Sequence, residues 1–268
     1  MSMQIVRENQ GNSSILQPFA NPLWAPTPVH SSKNSNRRTL KMCILLPDNG
    51  YDVTQVCESW QYFLKQGFIV HFATLTGNVA QADLTQLSGF KSWFIGATAE
   101  TCKLYDRMST ISEFLKPLSL SSDSFTLNTY DLVLIPGGKD PAVLDFVHSS
   151  RLSALLADYI PLCSRASGNH ALGAIAQGAI AIHRAVPNLQ IKSTTTPLYM
   201  ERTSYLFGAA NPPAYASMLI PADKYEAGPS ASHWVYSDEK YFYASGRHSG
   251  DVELLCKALR NLVMSALH

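Results

Sequence analysis

Short wholly apolar runs alternate along this chain with stretches whose apolar residues recur at helical spacing. Cys43-Ile44-Leu45-Leu46 is the first such run, and it ends at Pro47-Asp48-Asn49-Gly50, so it reads as a buried strand followed by a loop. Val53, Val56, Cys57, Trp60 and Phe63 then follow helical spacing, with Gly67 just past the end as a C-cap. Residues 68–74 form a second apolar run, closed by Gly77. This β-α-β order predicts a parallel sheet with helices on its faces.

The pattern continues with a helix expected over residues 97–115 and a strand over 130–135 that runs directly into Pro136-Gly137-Gly138-Lys139-Asp140. Residues 151–159 read as a helix, 170–176 as a buried strand and 177–184 as a small-residue helix. Past Pro187 the expectation is a strand over 190–194, a helix over 198–206, a hairpin from residues 233–236 and 241–244, and a closing amphipathic helix over 251–267. Residues 1–40 are rich in Asn, Ser, Pro and Gln and predict an extended arm ahead of a single domain over 41–268. The arm carries Phe19, Leu23 and Trp24, which suit docking on a partner subunit or on its own domain as well as a loose tail.

The stretch from Gly173 to Ile182 is the most informative. A buried strand meets a sharp turn and then a helix of small residues, the layout of a nucleophile elbow. The residue at its tip is Ala176, which has no reactive atom.

Bulk properties narrow the function classes. The 268 residues suffice for one good core, and 46% apolar with 15% charged residues is the balance of a soluble globular protein. A net charge of +1 without a basic block argues against nucleic acid as a partner. There is no apolar run of bilayer-spanning length, which argues against a membrane partner, and the first 41 residues lack the apolar core of a signal peptide. The five cysteines are scattered without a zinc-type spacing, which points to a cytoplasmic chain with reduced thiols and no metal. Nothing matches a dinucleotide fingerprint or a P-loop, so no cofactor is expected.

In their order and spacing these pieces resemble the ThiJ/PfpI family of the class I glutamine amidotransferase-like superfamily. The resemblance rests on Gly50-Tyr51-Asp52, Phe72-Ala73-Thr74, the run from Tyr130 to Gly138, the elbow at Ala174 to Gly178, Thr194-Thr195-Thr196 with Glu201, and Ser245-Gly246-Arg247 with Gly250-Asp251. It implies a flavodoxin-like sandwich, with a parallel sheet between helix layers and a small added β-hairpin, and often a homodimer. In the family a cysteine at the elbow is the nucleophile, a glutamate from the loop after the first strand bonds the thiol, and backbone N–H groups at the Gly-Gly turn and after the cysteine form an oxyanion hole. In this chain the cysteine position holds Ala176, the following histidine position Gln177, the glutamate position Gln55, and the position after Gly-Gly Lys139.

These departures remove cysteine-nucleophile chemistry, since alanine cannot attack and a glutamine amide cannot exchange protons near neutral pH. The elbow geometry should persist, and the pocket expected outside the carboxyl ends of the strands would suit a neutral or enolisable small molecule. Catalytic candidates are Gln55, Lys139, Gln177, Glu201 and His248; ligand-binding candidates are Asp48, Tyr51, Gly137, Gly138, Ala176, Thr195, Thr196 and Tyr199. The bland readings are a solvated loop lysine for Lys139, a helix cap for His248, an ion pair with Arg202 or Arg247 for Glu201, and structural roles for His170 and His183. Three functions fit: a cofactor-independent, non-covalent lyase, isomerase or cyclase acting on a small, possibly specialised, metabolite; a pseudoenzyme that binds a ligand without chemistry; and a Cys→Ala trapped variant of a hydrolase or hydratase.

Overall fold

A computed structural model describes residues 38–86, 97–138, 140–206, 215–229 and 232–268. The elements run β1 (Lys41–Leu45), β2 (Asn49–Tyr51), α1 (Val53–Lys65), β3 (Ile69–Thr74), β4 (Gln81–Ala82), α2 (Ala99–Met108), α3 (Ser112–Leu115), β5 (Leu118–Ser119), β6 (Leu132–Ile135), α4 (Pro141–Val147), α5 (Ser150–Tyr159), β7 (Ala171–Ile175), α6 (Gly178–Ala185), α7 (Leu198–Leu206), α8 (Ala216–Leu219), β8 (Val235–Ser237), β9 (Tyr243–Gly246) and α9 (Val252–Ala266), with short 3-10 turns between some of them.

Because successive side chains of a strand point to opposite faces, a strand covered on both sides is apolar throughout. Strand β1 shows this directly. Met42 and Ile44 join the core formed with α1, α2 and α9, while Cys43 and Leu45 join the core formed with α5 and α6. Strand β6 divides the same way, with Leu132 and Leu134 on the first face and Val133 and Ile135 on the second. Gly173 in β7 admits Leu259 of α9, whose Cδ1 lies 2.5 Å from where a Cβ would stand.

The main sheet has seven strands in the order β5-β3-β1-β6-β7-β9-β8. Neighbours are parallel except β8, which runs antiparallel to β9. This is the flavodoxin-like sandwich. The expected hairpin is the antiparallel pair β8 and β9: β9 pairs with β7 inside the main sheet, and β8 forms its edge. The carboxyl ends of β1, β6, β7 and β9 therefore share one rim, which carries the Gly-Gly turn, the elbow and Arg247.

Three local expectations change. The helix expected over 97–115 breaks into α2 and α3, because the Ser109 and Thr110 hydroxyls donate back to the Asp106 and Arg107 carbonyls, at 3.0 and 2.8 Å, where the helix ends. Helix α4 is an addition, started by the Asp140 cap and Pro141 in its first turn. The strand expected over 190–194 is reduced to one bridge, Ser193 to Tyr225, since β7 and β8 already flank β9 on both sides. The expected arm over 1–40 lies outside the described residues apart from residues 38–40, where Arg38 pairs with Asp131. Among the described residues no helix is long and apolar enough to cross a membrane.

Candidate active site at the turn after strand β7

Ala176 has φ +49°, and among the described residues it is the only non-glycine with positive φ. A left-handed alanine stores of order 1–3 kcal/mol and persists only where its surroundings fix it. Three contacts do so here. The Ala176 N–H donates to the Gly246 carbonyl at 3.0 Å, and the Thr195 hydroxyl donates to the Ala176 carbonyl at 2.7 Å. Gly178 fits against the end of β6, where a Cβ would meet the Ile135 oxygen at 2.1 Å. The elbow is thus built and strained as a nucleophile turn is, with a methyl group at its tip.

The two glutamines lie on the Gly-Gly turn. The Gly137 N–H donates to Gln55 Oε1 at 2.7 Å, and the Gly138 N–H to Gln177 Oε1 at 3.3 Å. The donors expected to serve an oxyanion are held by side-chain carbonyls of the protein itself. The Gln177 backbone N–H, at the start of α6, has no acceptor among the described residues. It lies close to the same spot: a Cβ on Gly137 would stand 2.9 Å from both this nitrogen and the Ala176 Cβ.

Glu201 lies in the first turn of α7 and is 8% exposed. Its oxygens accept from the Ala216 N–H at 3.1 and 3.0 Å, not from Arg202 or Arg247. Burial pushes its carboxyl up to about 7, against the lowering effects of the Ala216 N–H and of the Gln177 amide.

The remaining candidates separate. Thr196 donates to the Arg247 carbonyl at 3.0 Å, and Thr194 N–H to Ser245 Oγ at 2.9 Å, so the threonine run braces the ends of β7 and β9. His248 caps the turn before α9 through Gly250 N–H at 3.1 Å, and burial lowers its pKa. Tyr51 is fully buried against Phe114 and offers no surface to a ligand. Asp48 accepts from the Thr76 hydroxyl at 2.8 Å on the loop after β3. Tyr199 is half exposed on α7, next to Glu201 in the sequence by two positions. Lys139 lies outside the described residues.

Several residues that shape the rim had not been singled out for the site. Asp52 caps α1 by accepting from Gln55 N–H at 2.9 Å, and its second oxygen accepts from Ser249 Oγ at 2.8 Å and Gln86 Nε2 at 3.2 Å. Its position just before a helical pattern was the available signal. Arg247 and Asp251 form a buried ion pair at 3.0 Å, and their four-residue spacing on one turn was the cue. His183, Ser193 and Tyr243 form a buried chain at 2.9 and 2.7 Å; burial pushes His183 down to about 4, in keeping with a structural role. Cys163 lies at the other end of the sheet, where its carbonyl accepts from Phe242 N–H ahead of β9. Burial raises the Cys43, Cys57, Cys163 and Cys256 thiols, so none is a ready thiolate. Among the described residues no three His, Cys, Asp or Glu side chains gather as a metal site.

The family model described as ThiJ/PfpI family-like matches residues 46–229, which span the Gly-Gly turn, the elbow and Glu201. The chain belongs to this family. It is 69% identical over 268 residues, all of both chains, to a Schizosaccharomyces pombe protein named Uncharacterized protein C14C4.04. Among solved structures, the Rapid Encystment Protein 24 KDa of Francisella tularensis aligns with TM-score 0.57 and 12% identity, over 84% of this chain and 99% of that one. A ThiJ/PfpI domain protein from Brachyspira murdochii aligns with TM-score 0.52 and 13% identity, over 85% and 99%. At these identities the structural likeness speaks for the fold alone.

Proposed function

We propose that this family member is a cofactor-independent, non-covalent catalyst of the lyase, isomerase or cyclase type, acting on a small organic metabolite held over Ala176. The observation that carries the reading is Glu201, a buried carboxyl that accepts from the Ala216 N–H and is raised to about 7 by burial. A group with that pKa both takes and returns protons at neutral pH. Glu201 removes a proton next to a substrate carbonyl, and the Gln177 backbone N–H at the start of α6, which has no acceptor among the described residues, receives the developing oxygen charge. The Ala176 methyl leaves the space a sulfur would fill to a substrate carbon. The scattered unpaired thiols support a cytoplasmic setting, and the family resemblance supports a homodimer.

A second reading has its own support. With the Gly137 and Gly138 N–H groups held by Gln55 and Gln177, a protein that binds a small molecule and leaves it unchanged also fits. Solvent deuterium exchange separates the two. A panel of small ketones and α-hydroxy aldehydes is incubated with the protein in D2O and followed by proton NMR. The catalytic reading expects exchange next to the carbonyl in at least one compound, with a pH midpoint near 7 and loss in Glu201→Gln. Binding without exchange supports the second reading. Turnover of aldehydes or amides gained by Ala176→Cys would instead mark a trapped cysteine enzyme.

A further inference from the structure

We propose that strand β8 is an interaction surface for a second copy of this chain, which pairs with it antiparallel about a two-fold axis at Tyr236. The pairing owes nothing to the role of Glu201. β8 is the last strand of the sheet and runs antiparallel to β9, with Tyr236 opposite Ser245. The Asp238 N–H donates to the Tyr243 carbonyl at 2.9 Å, which fixes the alternation along the ladder. In an antiparallel pair every second residue turns both backbone groups to the same neighbour. Tyr236 therefore faces β9, and Val235 and Ser237 turn their N–H and C=O groups outward. Among the described residues no hydrogen bond reaches those outward groups. An edge strand with free backbone groups is a template for another strand.

The free groups are self-complementary. A two-fold axis at Tyr236 sets Val235 opposite the partner's Ser237, and Ser237 opposite the partner's Val235. Each is a place where antiparallel residues exchange both N–H···O bonds. Tyr236 meets the partner's Tyr236 as a non-hydrogen-bonded pair, the closer kind, where facing aromatic side chains stabilise a ladder. A shift of one residue in either direction would set an outward group against an inward one. The same register continued past the strand ends brings His233 towards the partner's Glu239, an imidazole against a carboxylate, and both are exposed. Every outward group thus meets its complement on an identical strand, which is the condition for an isologous contact.

The side chains beside the edge suit the same partner. Val235 and Ala258 both pack against the core that α9 forms with the sheet. Cys256 of α9 faces α1, with its Sγ 3.5 Å from Ser59 Oγ. Leu254 and Ala258 stand two residues to either side of Cys256, about 160–200° round the helix, and so lie on the flank turned away from α1. Leu254 is 39% exposed there. On the other face of β8, the Trp234 and Tyr236 rings have centroids 6.4 Å apart and are half-buried. A second copy paired on β8 brings its own α9 flank against this one and covers Leu254 on one face and Tyr236 on the other. An extended peptide would pair with the backbone and leave Leu254 bare.

Sedimentation velocity of the full chain at about 100 μM tests this, and a dimer is expected. Ser237→Pro removes an N–H that no bond within the chain uses. The circular dichroism spectrum should therefore stay unchanged while the dimer dissociation constant rises roughly tenfold or more. Leu254→Lys, on the helix flank, should weaken the dimer in the same direction. Tyr236→Cys sets two thiols face to face at the axis, at about 4.5 Å between Cα atoms, and mild oxidation should join them. Ser237→Cys should cross-link far more slowly, since its copies stand diagonally at about 7–8 Å. A monomer at about 100 μM overturns the inference. So does a dimer that keeps its affinity in both Ser237→Pro and Leu254→Lys, or equal cross-linking at the two cysteine positions. If Ser237→Pro disturbs the spectrum, the Leu254→Lys affinity and the cross-linking decide by the same criteria.

Discussion

Two buried carboxylates stand on the same rim of the sheet and have opposite characters. Asp251 is fully buried, and burial alone would raise its pKa. The Arg247 guanidinium together with the Trp234 and Arg247 N–H groups brings it below the usual carboxylate range. Glu201 has one backbone N–H and one neutral amide, and burial prevails. The difference lies in the partner. A cation that is itself buried locks a carboxylate into its charged form and makes it part of the frame. Neutral donors hold the second carboxyl in place and leave its proton free to move.

The two also load stability onto opposite ends of the pH scale. Asp251, with its lowered pKa, contributes stability that is present above the ordinary carboxylate pKa and fades as pH falls through its folded value. Glu201, with its raised pKa, binds a proton more readily folded than unfolded, so the fold loses stability as pH rises from about 4.5 towards about 7.

The contrast breaks most easily at Asp251. Asp251→Asn leaves the Arg247 charge buried without its partner and should cost about 3–5 kcal/mol in urea unfolding at pH 7. A cost under about 1 kcal/mol would mean the pair does not lock the rim. Next in size is the reverse exchange, which gives Glu201 a cation. Gln177→Lys should pull the Glu201 midpoint down by about 1–3 units in carboxyl NMR and reduce exchange at pH 7 roughly tenfold or more. Glu201→Gln removes the alkaline penalty instead: it should raise Tm by roughly 2–4 °C at pH 8 and leave it unchanged at about pH 4. An equal gain at both pH values would trace the effect to packing. The smallest change is expected between the two sites, at the strained turn. Ala176→Gly relieves the left-handed alanine but adds freedom to the unfolded chain, for a net gain of about 0.5 kcal/mol. A loss would mean that the Ala176 methyl packs usefully against Gly137.

Much of the fold was legible because its signals are local. Wholly apolar runs such as the one at Cys43 to Leu46 could only be strands covered on both faces, and the spacing of Val53, Val56, Trp60 and Phe63 could only bury one side of a helix. The misread stretches are those where a short polar signal competes with apolar spacing. Ser109 and Thr110 stop a helix that the apolar residues would continue, and Asp140-Pro141 starts one too short to show a period. The threonine run after Ile191 has strand composition, yet its hydroxyls and N–H groups are spent bracing the elbow and the ends of β7 and β9.

The site divides along the same line. The sequence alone established the sheet and the elbow with alanine at its tip, since these depend on residue type and spacing. Only the tertiary structure decided what the amides bond and which carboxyl has its pKa raised. Gln55 and Gln177 reach the Gly-Gly turn from α1 and from the elbow, 82 and 39 residues away along the chain. Asp251 and Glu201 read alike as single acidic letters. Their difference arises from burial and from what stands within hydrogen-bond reach, and a pKa is set by that neighbourhood, which does not exist until the rim is assembled.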